Sequence, residues 1–281
     1  MPKWRDEWTA YILMLPAIIY VIVLAFVPAI SAVYGSFETA RGQLTTYNYN
    51  FVISTFGISP ITNTFIVTAS ALTLQFTIAF LAASLLSKPF RGRGIYSAIF
   101  LIPFGVATIV TGVIFHDIFS TFGGYANTLL RSFGIHPIDW TGSYWTSLLI
   151  MILADSWKNT PIVTLVLLSG MVTIPTDLYS QAMVDGAGPI SRFFYITLPN
   201  MVSFIAIALM IRGISEFNIF ALALLLFPHS LLTTMTYALW DTVNAFPADA
   251  GATILLGFVL IFAAMVMFMR SRYGKANMYG K

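Results

Sequence analysis

Charged and amide side chains stand inside two long apolar stretches of this sequence. They are Asp155, Lys158 and Asn159 in one stretch, and Arg212, Glu216 and Asn218 in the other. Residues three or four apart share a helix face, so the spacing predicts ion pairs between Asp155 and Lys158 and between Arg212 and Glu216. Charges at membrane depth usually face a bundle interior or a cavity. They could contact a polar solute or serve only to fix helix packing, and the sequence leaves both open.

Other chemistry finds little support in the sequence. There are no cysteines and only three histidines, which are scattered along the chain. We therefore expect no disulfide, no metal site and no bound cofactor. The sequence contains no GxxxxGK[ST] phosphate loop and no nucleophile–base set, so a membrane enzyme is disfavoured and ATP hydrolysis by this chain is not expected. The net charge of +3 gives no indication of a nucleic-acid partner.

The elements that carry these residues are membrane spans. Of the 281 residues, 58% are hydrophobic and 9% are charged, whereas a soluble domain carries about 25% charged residues. A crossing helix needs about 20 apolar residues. The sequence predicts an all-α integral membrane protein, a single domain over 1–281 with six spans. These are 9–34, 62–86, 95–115, 144–171, 201–227 and 251–269.

The basic residues predict the orientation of these spans. Ten of the fourteen Lys and Arg residues fall at the termini or in the loops after the second and fourth spans. Only Arg41 and Arg131 fall on the other side. Because cytoplasmic loops are enriched in Lys and Arg, the sequence predicts a multi-pass protein of the cell membrane with both termini in the cytoplasm.

The predicted cytoplasmic loop 172–199 is too polar to be a span and too regular to be a slack linker. Thr176 is a candidate N-cap for a helix over Asp177–Val184, and Gly186 suits the positive φ that follows a helix end. Pro189 suits the first turn of a second short helix, which we expect Pro199 to end. A rigid two-helix projection could contact another protein or could be an ordinary structured loop.

This loop closely resembles the EAA loop of binding-protein-dependent ABC importer permeases. The family pattern is approximately E-A-A-x-x-D-G-A, then about nine residues, then I-x-L-P. The matching residues are Ala182, Asp185, Gly186, Ala187, Ile196, Leu198 and Pro199. Ser180 and Gln181 stand where the family usually has Glu and Ala, so the glutamate is absent.

Further motifs are similar to the carbohydrate-uptake branch of that family, related to maltose and glycerol-phosphate permeases. They include Asn63-Thr64, the loop Lys88–Gly94 and Trp157–Pro161. The resemblance implies the type I importer fold, a second permease subunit that is expected to be a different homologous chain, two cytoplasmic ATPase subunits that use ATP and Mg, and an extracellular solute-binding protein. It implies alternating access for a mono- or disaccharide, with a polyol or glycerol phosphate as the alternative.

Under that resemblance, the residues of the two polar stretches become candidates for the substrate path. Amide groups can bond the edge of a sugar, and aromatic rings can pack on its C–H face. The candidates are Asp155, Trp157, Asn159, Glu216, Phe217 and Asn218. The residues that would couple to the ATPase are Ser180, Gln181, Ala182, Asp185, Gly186, Ala187, Ile196 and Pro199.

The sequence leaves open the roles of two predicted external segments and one alternative class of transporter. Tyr125–Phe133 is predicted to be a surface helix, serving as a lid or as a docking site. Tyr237, Trp240, Asp241 and Asn244 would align on a helix as an interfacial belt or as a gate. An ion-coupled secondary transporter could carry its coupling proton on Asp155 or Glu216, although such a carrier does not need a two-helix cytoplasmic loop.

Overall fold

The structure, a computed structural model, describes residues 3–226, 238 and 245–273. Within these residues the chain is helical and contains no strand beyond one isolated bridge between Glu38 and Leu44. The described residues fall into two compact units. One comprises those within 1–58 and 238–257, and the other those within 59–237 and 258–281.

In the first unit, a long helix runs from α1 (Lys3–Val21) through a π-helical turn (Ile22–Phe26) into α2 (Val27–Ser36). A short helix, α3 (Tyr47–Phe56), follows. The large apolar side chains along the long helix are exposed, for example Leu13 and Ile30. An apolar helix that is exposed on most sides suits lipid rather than water.

The second unit contains the remaining helices of the described chain. Their order is α4 (Ser59–Leu86), α5 (Arg93–Gly105), α6 (Thr108–Ile118), α7 (Tyr125–Ser132), α8 (Tyr144–Met171), α9 (Thr176–Val184), α10 (Pro189–Arg192), α11 (Leu198–Phe217) and α12 (Ala221–Leu226). The last described helix, α13 (Ala245–Tyr273), begins in the first unit and ends in the second.

The helices meet the length and composition required for membrane crossing. Among the described residues, four helices qualify individually, and up to six spans result if each of two bent pairs is counted once. One bent pair is α5 with α6, at 95°, and the other is α8 with α9, at 72°. The stretch predicted as the third span consists of two helices, because Val106 and Ala107 between them have extended backbone angles.

The core of the second unit lies along α8. Towards one end, Ala79 and Ala83 of α4 pack with Val163 and Leu167 of α8 and with Met201 of α11. Small residues allow helices to approach closely in a membrane. Gly170 does this between α8 and α11, where a Cβ atom would lie 2.6 Å from the Phe204 ring. A second apolar cluster at the other end of α8 involves α4, α6 and α12.

Prolines explain both π-helical turns. A proline ring clashes with the carbonyl group four residues earlier, and Pro28 and Pro199 each follow such a turn. In each turn the backbone bond reaches back five residues, from Val27 to Ile22 and from Leu198 to Phe193. The expectation that Pro199 ends a helix is therefore wrong. The wider turn accommodates the ring, and the helix continues from α10 into α11.

Candidate functional site

A buried network of polar side chains joins α4, α8 and α11. Gln75 of α4 donates from Nε2 to Asp155 Oδ2 and to Glu216 Oε1, at 2.8 Å in both cases. Arg212 donates from Nε to Gln75 Oε1 at 3.2 Å and from Nη2 to Asp155 Oδ2 at 3.3 Å, and it is also paired with Glu216. Asn159 completes the network by donating to Asp155 Oδ1 at 2.9 Å. We call these five residues the polar hub.

The hub confirms one predicted ion pair and corrects the other. Arg212 pairs with Glu216 one turn away on α11, as the spacing predicts. Asp155 of α8 pairs with Arg212 of α11, and not with Lys158. The Lys158 side chain instead reaches Phe104, with its Nζ 5.7 Å from the centre of the Phe104 ring. The planar guanidinium group of Arg212 has several N–H donors, so it can bond Asp155, Glu216 and the Gln75 amide at the same time.

Gln75 is a hub residue that sequence reasoning missed. It is fully buried and is uncharged, so a search for charges inside apolar stretches passes over it. The available signal was one amide in the middle of a long apolar helix, where a polar side chain needs a partner. One oxygen of the hub, Glu216 Oε2, is buried without a hydrogen-bond partner among the described residues.

The six substrate-path candidates divide into buried and exposed groups. Asp155, Asn159 and Glu216 belong to the hub, and their hydrogen bonds are made to other hub residues. Phe217 is also buried, with its ring edge-on to Phe65 and near Phe262. Trp157 is 39% exposed and contacts Phe115. Asn218 is exposed just beyond the end of α11 and bonds the Ile214 carbonyl oxygen.

The loop predicted to couple the chain to a partner is organised by a glycine turn after α9. Gly186 has φ of 78°. Its amide donates to the Met183 carbonyl at 3.1 Å, and the Ala187 amide donates to the Ala182 carbonyl at 2.8 Å. This pair of bonds is the Schellman motif, which satisfies the last carbonyls of a helix. The Asp-Gly-Ala sequence thus sets the angle at which the chain leaves α9.

The surroundings of this turn leave much of α9 accessible. Ser180, Gln181 and Asp185 are exposed, and Ala182 and Ala187 are half-buried. Large apolar side chains are also exposed here, with Met183 at 53% and Val184 at 88%. Ile196 packs towards the apolar core from the π-helical turn before Pro199. An exposed apolar patch with a polar rim is typical of a protein interaction site.

The segment between α6 and α8, which the sequence predicts to be external, is held by Asn127, a residue that the sequence analysis did not single out. Its Nδ2 donates to the carbonyls of Thr121 and Ile138, and its Oδ1 accepts from the Ile138 amide and from Trp140 Nε1. The helix predicted in this segment is confirmed as α7. The proposed belt or gate at Tyr237, Trp240, Asp241 and Asn244 lies outside the described residues.

Comparison with known proteins decides the family. Residues 75–273 match the model of the binding-protein-dependent transport system inner membrane component. The chain belongs to this family. It is therefore a transport subunit of the permease type and a multi-pass membrane protein, and the family is one of binding-protein-dependent systems rather than of ion-coupled carriers.

Relatives of this permease extend over nearly its whole length. The trehalose/maltose transport system permease protein MalF of Thermococcus litoralis is 29% identical, over 95% of each chain. The sn-glycerol-3-phosphate transport system permease protein UgpA of Escherichia coli is 25% identical, also over 95% of each chain. A bacterial ABC transporter involved in alginate import contains a chain of the same fold, with a TM-score of 0.80, 21% identity and 99% coverage of both chains.

Proposed function

We propose that this permease carries a neutral mono- or disaccharide through an ATP-driven importer. The observation that supports the sugar most strongly is the similarity to a trehalose/maltose permease over 95% of both chains. The similarity to a glycerol-phosphate permease keeps a phosphorylated polyol as the second candidate. The charges near the polar hub bear on the choice between them.

The hub favours a neutral substrate. A phosphate group needs cationic partners, but the guanidinium group of Arg212 already bonds two carboxylates and an amide. Lys158 is the other basic residue within α8 and α11, and it is half-buried over Phe104. We therefore assign the hub a structural role, in which it fixes α4, α8 and α11 against one another.

The exposed residues of the same helices are better candidates for direct contact with sugar. The indole ring of Trp157 is partly exposed on the surface of α8, and the amide of Asn218 lies just beyond the end of α11. Polar groups at membrane depth are costly when they face lipid. We infer that these two side chains face a second permease subunit or the passage between the two subunits.

The energy source is proposed to lie in partner subunits. The exposed helix α9, fixed at its end by the Gly186 turn, would dock on a cytoplasmic ATPase and move with it as ATP binds. A binding protein would deliver the sugar from outside. Conversion between inward-open and outward-open states would follow the ATPase cycle, and the ligands would shift the population of each state.

Transport by the complete importer in proteoliposomes tests this proposal. Radiolabelled trehalose and maltose should accumulate only with ATP and loaded binding protein, and glycerol 3-phosphate should not accumulate. Trp157→Leu should lower uptake about tenfold. The control is Trp145→Leu, which changes an exposed tryptophan near the start of the same helix and should leave uptake within about twofold.

The substrate, the energy source and the role of Trp157 can each be disproved separately. Uptake of glycerol 3-phosphate alone would overturn the sugar assignment and leave the importer intact. Uptake driven by a proton gradient without ATP would overturn the proposed energy source. Equal uptake by the two tryptophan variants would remove Trp157 from the path.

A further inference from the structure

A cavity lined by both polar and apolar residues lies away from the hub, at the end of the bundle that carries α9. Its volume is about 620 Å³. It lies where α4 and α8 end and where α10 leads into α11, and its wall includes Lys88, Thr176, Tyr179 and Arg192. Nothing in the transport mechanism proposed above uses this cavity.

The charges that line the cavity all have one sign. Its two charged lining residues are Lys88 and Arg192, and no carboxylate is among the described residues that line it. Neither basic side chain forms an ion pair with another described residue. Arg192 Nε is buried and has no hydrogen-bond partner within the described part of the chain. A buried donor left unpaired is costly, so the guanidinium group is set up to receive an anion.

Hydroxyl groups add further hydrogen-bonding capacity to the wall. Ser84 and Ser87 lie on the α4 side, and Thr176 begins α9. The Ser84 hydroxyl donates to the Met171 sulfur, a weak acceptor, at 3.8 Å. On the opposite side, the hydroxyls of Tyr179 and Thr197 are 2.9 Å apart and tie α9 to the start of α11. The Ser87 hydroxyl donates to the Ser84 carbonyl at 3.0 Å, so the guanidinium and ammonium groups are the main donors that suit the oxygen atoms of a phosphate group.

We propose that this cavity binds the phosphate of an anionic phospholipid headgroup. A lipid is favoured over free phosphate because the wall also has an apolar part, which includes Met171, Ile174 and Phe193. The cavity also lies where the apolar helices α4 and α8 end, which is the depth of the headgroups. Basic pockets between membrane helices on the cytoplasmic side bind lipid headgroups in this manner.

Binding of lipid to the purified permease tests the proposal. The probe is phosphatidylglycerol, which is titrated into mixed micelles of detergent and phosphatidylcholine that contain the permease. Bound lipid is counted by native mass spectrometry. Basic residues attract anionic lipid headgroups, so Lys88→Gln with Arg192→Gln should weaken phosphatidylglycerol binding by about tenfold or more. Inorganic phosphate at millimolar concentration should neither bind nor compete.

A matched control carries the same change in charge. Arg91→Gln with Arg93→Gln removes two positive charges from the loop that contains Lys88 without touching the cavity wall, and binding should stay within about twofold. Arg192→Lys keeps the charge but loses the planar guanidinium group, so it should give an intermediate affinity. This milder variant also keeps the test valid if the double variant misfolds.

Three results would overturn the proposal. Equal loss of lipid in both double variants would indicate general surface attraction. Competition by inorganic phosphate would assign the cavity to a soluble anion. Unchanged lipid binding with loss of the ATPase subunit from the Lys88 and Arg192 variant would assign the cavity to an acidic segment of that partner.

Discussion

Gln75 holds the polar hub together at the scale of single residues. Its amide nitrogen bonds a carboxylate from each of two helices, and its amide oxygen accepts from Arg212. An amide is suited to this position because it donates and accepts from adjacent atoms. Without it, Arg212 would be the one hub residue that bonds both Asp155 and Glu216.

We predict that Gln75→Leu destabilises the permease by about 2–3 kcal/mol, because three buried hydrogen bonds to charged groups are lost. Gln75→Glu should be more harmful, because it adds a third carboxylate to a buried site. Thermal unfolding of the detergent-solubilised protein measures both changes.

Thr77→Val is the matched control for that experiment. Thr77 lies on the same helix, is exposed, and bonds the Thr73 carbonyl of its own helix. An exposed change of this size should alter stability by less than about 0.5 kcal/mol. If Gln75→Leu unfolds at the same temperature as Thr77→Val, the hub does not stabilise the bundle.

The sequence predicted one ion pair of the hub and missed the other, for a physical reason. Arg212 and Glu216 lie four apart on one helix, so the periodicity of that helix is enough to pair them. The partner of Asp155 lies 57 positions away in sequence, and it depends on how α8 packs against α11. Spacing along one helix contains no information about that packing, and Lys158 was therefore the wrong partner.

At the scale of elements, the turn after α9 depends on one glycine. Gly186 has φ of 78°, and a side chain with Cβ in this conformation costs about 1–2 kcal/mol. Gly188, two residues later, has φ of −68° and extended geometry. At both positions a Cβ atom would have no described neighbour within 4 Å, so the two positions differ in backbone strain and not in crowding.

We predict that Gly186→Val leaves the spans folded and uncouples transport from ATP hydrolysis. The strained turn would change the direction in which the chain leaves α9, and α9 would no longer transmit movement. ATP hydrolysis by the purified complex should fall to its basal rate and no longer respond to loaded binding protein. Sugar uptake should be lost in parallel.

Two further variants separate strain from bulk. Gly188→Val adds the same side chain without a positive φ and should keep stimulation. Gly186→Asn should retain much of it, because asparagine tolerates the left-handed region. Normal stimulation in Gly186→Val would show that this turn is not part of the coupling element.

The loop also shows which features of an element a sequence reveals. The helix over Asp177–Val184 and the positive φ at Gly186 were both predicted, since helix and turn preferences are local. The N-cap prediction was wrong: the helix begins at Thr176 itself, after Pro175, and no side chain caps it. The continuation through Pro199 was not, because a proline usually interrupts a helix. The π-helical turn that accommodates it is a detail of backbone geometry that residue type does not reveal.

At the scale of the whole molecule, composition and apolar run length predicted a helical membrane protein, and the structure and the family confirm this. Run length could not predict the bend at Val106 and Ala107, because a broken span and a straight one have the same apolar content. The motif at 180–199 identified the family because its residues recur at fixed offsets. The sugar itself leaves no comparable pattern in the spans.

The sidedness of the membrane is the remaining whole-molecule prediction. Arg93 begins α5 and Arg91 lies in the loop just before it, and Arg270 and Arg272 fall in the last turn of α13. Cytoplasmic loops attract such residues, so the face that carries α9 should be cytoplasmic. The segments around α3 and α7 should then lie outside.

Single cysteines test this arrangement directly, because the chain has none of its own. Asn50→Cys in α3 and Phe122→Cys before α7 place the thiol at exposed positions on the predicted outer side. Gly94→Cys places it on the opposite side, in open space and without removing a charge. A membrane-impermeant maleimide should label the first two in intact cells and should label Gly94→Cys only after the membrane is opened. Labelling of Gly94→Cys alone in intact cells would invert the map and move α9 away from any cytoplasmic ATPase.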